Sequence, residues 1–162
     1  MSDPHSRLSL YLVQHGEAVA ETVDPERPLS AAGRAVVAQV ATWAAQRGVA
    51  VDRIRHSGKL RAEQTATIFA EKLRPRQGVS VQSGVGPNDD VRPMAKTLAT
   101  ESGSLMLVGH LPFLSRLAGF LLTGEGERQL LEFRYGGLVG LVRERDKWAI
   151  RCVIPPDLAA LE

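Results

Sequence analysis

The stretch that decides the fold is LYLVQHGEA, residues 10–18, because its pattern recurs as LMLVGHLPF at residues 105–113. Each segment is an apolar run typical of a buried strand, followed at once by one residue, a histidine and a turn. A lone histidine at a strand end usually caps a backbone group or lies half exposed. Parallel strands, however, end at the same edge of a sheet, so neighbouring strands would bring His15 and His110 together where α/β sheets bind ligands.

The rest of the chain alternates between helical and strand patterns. Apolar residues recur at helical spacing in residues 29–48, 58–73, 90–98 and 112–124. These segments are bounded by capping residues, such as Ser30 and Asp90, or by Gly and Pro. Strand patterns cover residues 8–13, 51–57, 78–82 and 105–109. Two or three further strands follow, with a hairpin at residues 145–147. The tail, residues 155–162, is expected to add an edge segment to the sheet. This order predicts an α/β fold, a three-layer α/β/α sandwich with a mostly parallel central sheet and an antiparallel edge strand, in one domain spanning residues 1–162.

Composition narrows the class of protein. The chain is 44% hydrophobic and 23% charged with a net charge of +2, values that are ordinary for a globular protein. Neither the charge nor the 5% of aromatic residues favours nucleic acid as a partner. The single cysteine excludes an internal disulfide and a thiolate zinc cluster, and no apolar stretch reaches membrane-spanning length. We therefore expect a cytoplasmic protein with no membrane partner.

A third segment, HSGKLRAEQT at residues 56–65, points to the same edge of the sheet. Arg61 lies one turn into the predicted helix, close to residues 57–59 and to the free N–H groups of the helix start. Two imidazoles, a guanidinium and an ammonium group form a pocket for an anion, and phosphate or another oxyanion fits it. A zinc site built from His15, His56 and His110 is the competing hypothesis, but it lacks a carboxylate partner and a zinc-binding spacing.

Four segments together resemble the histidine phosphatase superfamily, which has the phosphoglycerate-mutase-like fold, and in particular its small SixA-type phosphohistidine phosphatases. The matching segments, which follow the family's order along most of the chain, are LVQHGEA (12–18), DPERPLSAAGR (24–34), HSGKLRAEQTA (56–66) and LMLVGHLPFLSRLAG (105–119).

The resemblance implies a phosphohydrolase with a covalent mechanism and no cofactor or metal. His15 would attack phosphorus and form a phosphohistidine that water then hydrolyses, while Arg61 and His110 hold the transferring oxygens. Gly16 would keep the backbone close to the phosphate. The implied partner is a protein that carries phosphohistidine, such as a histidine phosphotransfer domain in signal transduction.

The sequence departs from the family pattern at residue 14, where Gln14 replaces an arginine. An amide offers only neutral donors, so the predicted pocket loses one positive charge. Lys59, two residues before Arg61, is a candidate for restoring that charge to the substrate-binding pocket. The alternative, that Lys59 only points into solvent, carries equal weight.

The general acid is less clearly marked. Glu17 and Asp89 are the candidates, whereas Asp90 is better explained as a helix cap. Because a protonated phosphoramidate leaves as a neutral amine, an enzyme for phosphohistidine needs less help from an acid than an esterase does. Arg27 is a further candidate substrate contact, although a loop arginine more commonly pairs with a neighbouring carboxylate such as Glu26.

Two alternative functions stay open at this point. One is a small-molecule phosphomonoesterase of the same superfamily. The other is a phosphate-binding protein whose catalysis is weakened because Gln14 replaces the family arginine.

Overall fold

The computed structural model describes residues 7–126 and 128–161. Within them six strands form one sheet, in the order β3-β2-β4-β1-β5-β6. The strands are β1 (Arg7–Gln14), β2 (Arg53–His56), β3 (Val79–Val81), β4 (Gly103–Gly109), β5 (Leu138–Glu144) and β6 (Lys147–Ile154). The helices are α1 (Ala31–Gln46), α2 (Leu60–Leu73), α3 (Arg92–Thr100), α4 (Phe113–Thr123) and α5 (Pro156–Ala159).

The sheet is mixed, as predicted. β3, β2, β4 and β1 are parallel neighbours. β5 pairs antiparallel with β1, and β6 pairs antiparallel with β5 through the expected hairpin. The strand that runs opposite to β1–β4 is therefore β5, which lies inside the sheet beside β1. β6 is the edge strand next to β5.

Two hydrophobic cores lie on opposite faces of the sheet. Alternate residues of a strand point to opposite faces, so Leu10 and Leu105 pack towards α3 and α4, whereas Val13 and Val108 pack towards α1 and α2. Burial of both faces explains why β1 and β4 are continuously apolar. The predicted three-layer α/β/α sandwich is confirmed.

The ends of the helices follow the sequence signals. Ser30 caps α1, and its hydroxyl accepts a hydrogen bond from the N–H of Gly33 at 2.9 Å. α4 ends at Gly124, which has a positive φ of 79°. Asp90 accepts the N–H of Arg92, the first residue of α3, at 3.0 Å. No helix in the part of the chain that the structure describes is long and apolar enough to cross a membrane.

The tail is a correction to the sequence prediction. Instead of adding an edge segment to the sheet, it forms the short helix α5, whose Ala159 is buried in the core shared with α1 and α2. Pro155 and Pro156 have no N–H to donate to a strand ladder, and proline suits the first turn of a helix.

Candidate active site

The carboxyl ends of β1 and β4 place two histidines side by side. Gln14 lies opposite Gly109 in the parallel register, and the next residue, His15, donates its backbone N–H to the carbonyl of Gly109 at 3.0 Å. The ring centroids of His15 and His110 are 4.9 Å apart, and the two residues are only 7% and 2% exposed. The recurring strand and histidine pattern therefore leads to a single site.

The tautomer of His15 follows from its hydrogen bonds. Nδ1 lies 2.7 Å from the carbonyl oxygen of Gly16, which only accepts, so Nδ1 carries the proton and Nε2 has a free lone pair. The Nε–H of Arg61 points to that lone pair at 3.3 Å. Burial lowers the pKa of His15 to about 4, and the charges of Arg61 and Arg27 act in the same direction. The ring is thus neutral at pH 7, the form that a nucleophile requires.

A buried threonine holds the backbone next to this histidine. The N–H of Gly16 donates to Oγ1 of Thr65 at 3.0 Å, and the same hydroxyl donates to the carbonyl of Arg61 at 2.8 Å. A Cβ at Gly16 would lie 2.6 Å from the Cγ2 atom of Val37, so only glycine fits. Sequence reasoning assigned no role to Thr65; the available signal was its position four residues after Arg61, on the same face of α2.

The second histidine is oriented by a serine. Oγ of Ser57 lies 2.6 Å from Nε2 of His110 and also accepts the N–H of Lys59 at 3.4 Å. Nδ1 of His110 is a buried atom without a hydrogen-bond partner among the described residues. Burial, followed by the charges of His15, Arg61 and other neighbouring cations, lowers the pKa of His110 to about 3.

Three cationic side chains act on the histidine pair. Besides Arg61, the charge of Arg27 helps to lower the pKa of both histidines, and that of Lys59 lowers the pKa of His110. Arg27 donates its Nε–H to the carbonyl of Val19 at 3.2 Å rather than pairing with Glu26 in the part of the chain described. Lys59 is exposed, so its contact with a bound phosphate stays a prediction.

Gln14 lies at the end of β1 and is 7% exposed. Its backbone carbonyl accepts the N–H of Gly136 at 2.9 Å, whereas its amide has no hydrogen bond to the described residues. The neutral side chain therefore stands next to His15 in the chain without supplying the positive charge that the family pattern has there.

The two candidate general acids are exposed and make hydrogen bonds of their own. Glu17 is exposed, and its carboxylate accepts a hydrogen bond from the hydroxyl of Ser30 at 3.1 Å. Asp89 is exposed as well, and its carboxylate accepts the N–H of Gly86 at 2.7 Å. Glu17 thus contacts the residue that caps α1, Asp89 satisfies its own turn, and neither is among the charges that shift the pKa of His15 or His110. A role of either carboxylate as general acid therefore stays a prediction.

The zinc hypothesis also receives no support from the geometry. Nδ1 of His56 is engaged with the N–H of Gly58, from which it accepts at 3.1 Å. Across residues 7–126 and 128–161, no group of three or more His, Cys, Asp or Glu side chains could hold a metal ion.

One aromatic residue near the site was not found from the sequence. The ring of Tyr135 lies 5.6 Å from that of His15, between centroids, and the residue is 48% exposed. Its position depends on a loop that returns to β1 from 120 residues further along the chain, and no sequence signal marks such a contact.

Comparison with known proteins agrees with this geometry. The profile of the histidine phosphatase superfamily (branch 1) matches residues 10–84. The chain belongs to the histidine phosphatase superfamily. This histidine phosphatase is 28% identical to the phosphohistidine phosphatase SixA of Escherichia coli K12 over 123 residues, which is 73% of this chain and 76% of that protein. It is 31% identical to an uncharacterised protein of Picosynechococcus over 142 residues, 83% of this chain and 84% of that protein.

Solved structures support the same assignment of the fold. The structure of the protein histidine phosphatase SixA complexed with tungstate superimposes with a TM-score of 0.82 at 22% identity, covering 92% of this chain and 97% of that chain. The predicted phosphoglycerate-mutase-like fold is confirmed. Superfamily membership together with the similarity to SixA makes this histidine phosphatase a phosphohydrolase.

Proposed function

We propose that this histidine phosphatase removes the phosphoryl group from a phosphohistidine-bearing protein, through a covalent phosphohistidine at His15. The observation that carries the proposal is the neutral, buried His15, whose Nδ1 proton is held by Gly16 and whose Nε2 lone pair faces a guanidinium. A lone pair held in place beside fixed positive charge is what attack on a phosphoryl group needs.

The chemistry proceeds in two displacements. Nε2 of His15 forms a bond to phosphorus, the bond from phosphorus to the leaving nitrogen breaks, and its electron pair stays on that nitrogen. Water then attacks the phosphorylated His15, and inorganic phosphate and the neutral imidazole result. Arg61 and His110, with Arg27 further out, stabilise the charge on the three equatorial oxygens.

Among the described residues, the charges that act on the histidine pair are those of Arg61, Arg27 and Lys59, and this supports a nitrogen–phosphorus substrate. An alkoxide leaving group requires a proton from a nearby acid, and Glu17 and Asp89 are engaged elsewhere. A phosphohistidine ring that is already protonated on its other nitrogen departs as neutral imidazole and needs no such donor. The likeness to phosphohistidine phosphatase SixA of E. coli supports the same substrate, and the tungstate bound to SixA supports an oxyanion in the pocket.

The proposed setting is a cytoplasmic signalling relay with a histidine phosphotransfer domain as the substrate. The test compares turnover of a phosphorylated histidine phosphotransfer domain and a phosphohistidine peptide with turnover of p-nitrophenyl phosphate and sugar phosphates. We expect the phosphohistidine substrates to give the higher kcat/KM. Strong ester turnover with none on phosphohistidine would reverse the assignment in favour of a small-molecule phosphomonoesterase.

A phosphate-binding protein with weakened catalysis is the second candidate, and the neutral Gln14 is the observation that favours it. The variant Gln14→Arg separates the two: an enzyme limited by the missing charge gains turnover. A protein that binds phosphate but shows no turnover either with Gln14 or with arginine at this position would be a binder.

A further inference from the structure

We infer that the ring of Tyr135 forms a subsite for the leaving imidazole of the substrate, which makes this residue a determinant of specificity for aromatic nitrogen leaving groups. The inference rests on the proposed function and adds to it a residue that contacts the part of the substrate beyond the phosphoryl group. Three features of the structure support it: the turn that holds Tyr135, the placement of its ring, and its exposure. The direction in which a leaving group departs during phosphoryl transfer supports it as well.

The turn that carries Tyr135 is fixed to the end of β1. The N–H of Gly137 donates to the carbonyl of Arg134 at 2.9 Å, which closes a four-residue turn with Tyr135 in its second position. Gly136 takes the third position with a φ of 74°, a conformation that favours glycine. Its N–H donates to the carbonyl of Gln14 at 2.9 Å. The backbone thus sets the position of Tyr135 relative to the residue just before His15.

The ring itself lies against His15 and still faces solvent. The two ring centroids are 5.6 Å apart with an interplanar angle of 41°, within the range of favourable aromatic pairs. Because Tyr135 is 48% exposed, core packing does not explain why a large aromatic side chain occupies this position. Tyr135 therefore borders the open side of the pocket.

The direction of departure follows from the geometry of phosphoryl transfer. The entering and leaving atoms are in line on opposite sides of phosphorus. His15 attacks from the buried strand ends, so the leaving group has to occupy the solvent side, where Tyr135 is exposed. An imidazole there gains an aromatic contact with Tyr135. A leaving group without a ring gains none, while Arg61 and His110 hold the phosphoryl group of both.

The test uses two nitrogen–phosphorus substrates that differ in the leaving group, free phosphohistidine and phosphoramidate, whose leaving group is ammonia. The readout is the ratio of their kcat/KM values. An aromatic contact corresponds to a loss of about 3- to 10-fold in this ratio for Tyr135→Leu, which keeps the bulk but removes the ring. Tyr135→Phe keeps the ring, and we expect it to retain the ratio.

Ile150→Ala is the matched control, because Ile150 is 49% exposed on β6, away from the histidine pair. It should change neither kcat/KM nor the ratio. Thermal unfolding of each variant checks that the fold is intact; because Tyr135 is half exposed, Tyr135→Leu should melt close to the wild type.

Three results would overturn the inference while leaving the proposed function intact. They are an unchanged ratio in Tyr135→Leu with both kcat/KM values also unchanged, an unchanged ratio because both kcat/KM values fall equally, and a loss in the ratio for Tyr135→Phe as large as for Tyr135→Leu, which would assign the effect to the hydroxyl. Failure of the wild type to hydrolyse both compounds would overturn the inference, and failure on a phosphorylated histidine phosphotransfer domain as well would overturn the proposed function.

Discussion

The reactivity of His15 depends on a single hydrogen bond within its own segment, from Nδ1 to the carbonyl of Gly16. That bond fixes the tautomer, and burial keeps the ring uncharged, so the lone pair on Nε2 is available over a wide pH range. Placement of His15, His110 and Arg61 near one another could be predicted, because each follows the carboxyl end of a strand. The contacts of Ser57 with His110 and of Tyr135 with His15 could not be predicted, because each joins side chains from distant segments.

The tautomer is open to direct measurement. In the free enzyme, long-range ¹H–¹⁵N spectra should show His15 as neutral with the proton on Nδ1, and the ring should titrate at a pKa of about 4. The acid limb of kcat/KM, which reports the free enzyme, should lie correspondingly far below pH 6.5. A proton on Nε2 at pH 7, or titration near 6.5, would contradict the account.

A variant of Lys59 tests whether this lysine supplies the positive charge that is missing at Gln14. If its ammonium reaches the phosphate, Lys59→Ala should weaken phosphate affinity by about fivefold, the size of an exposed ion pair, and the loss should shrink at high salt. The matched control is Lys96→Ala, which removes an exposed lysine from α3.

A second variant sharpens the result for Lys59. In a Gln14→Arg background, Lys59→Ala should weaken phosphate affinity less, because the arginine then supplies the positive charge that Lys59 otherwise provides. Unchanged affinity and turnover in Lys59→Ala alone would show that this lysine only faces solvent.

At the scale of elements, the site depends on how closely α1 approaches the segment after β1. The backbone N–H of Ser30 donates to the carbonyl of Glu17 at 2.9 Å, and Gly33 packs against the same carbonyl. The helix and strand positions were predictable because local caps and apolar spacing agree with the final packing. The conformation of the tail was not, because α5 packs its Ala159 into the core shared with α1, a segment distant along the chain.

Gly33 offers the test at this scale. A Cβ at this residue would overlap the carbonyl oxygen of Glu17. Gly33→Ala should therefore lower the free energy of unfolding by about 1–3 kcal/mol and reduce kcat/KM, because the displaced carbonyl belongs to the segment that carries His15. Urea unfolding and turnover measure the two effects. Ala35→Ser, exposed on the same helix, is the control, and a Gly33→Ala variant that matches it in both would contradict the close approach.

At the scale of the whole molecule, the neutral side chains of His15 and His110 are buried at the carboxyl ends of the central strands, between the two helical layers. The overall architecture was predictable because strands that alternate with helices leave few topologies open. The pairing of β5 beside β1 was not, because an antiparallel strand gives the same local pattern at an edge or inside a sheet.

The buried histidines make stability depend on pH. Their pKa values are about 4 and about 3 in the folded chain, below the usual 6.5, so the unfolded state binds protons first as the pH falls. The free energy of unfolding should therefore decrease from about pH 6.5 downwards, by about 2 kcal/mol per histidine between pH 7 and pH 5. Urea unfolding at both pH values measures it, and His15→Asn should reduce the difference by about 2 kcal/mol. Equal stability at pH 7 and pH 5 would mean that the histidines are charged in the folded state.

The central claim is that His15 carries the phosphoryl group during turnover. Wild type mixed with a phosphohistidine substrate and quenched in denaturant at alkaline pH should yield a protein with one added phosphoryl group, labile to acid and located on the peptide that contains His15. The same experiment on His15→Ala should yield no adduct and no turnover. Turnover in the wild type without any adduct in rapid-quench samples, or an adduct that persists in His15→Ala, would contradict the account.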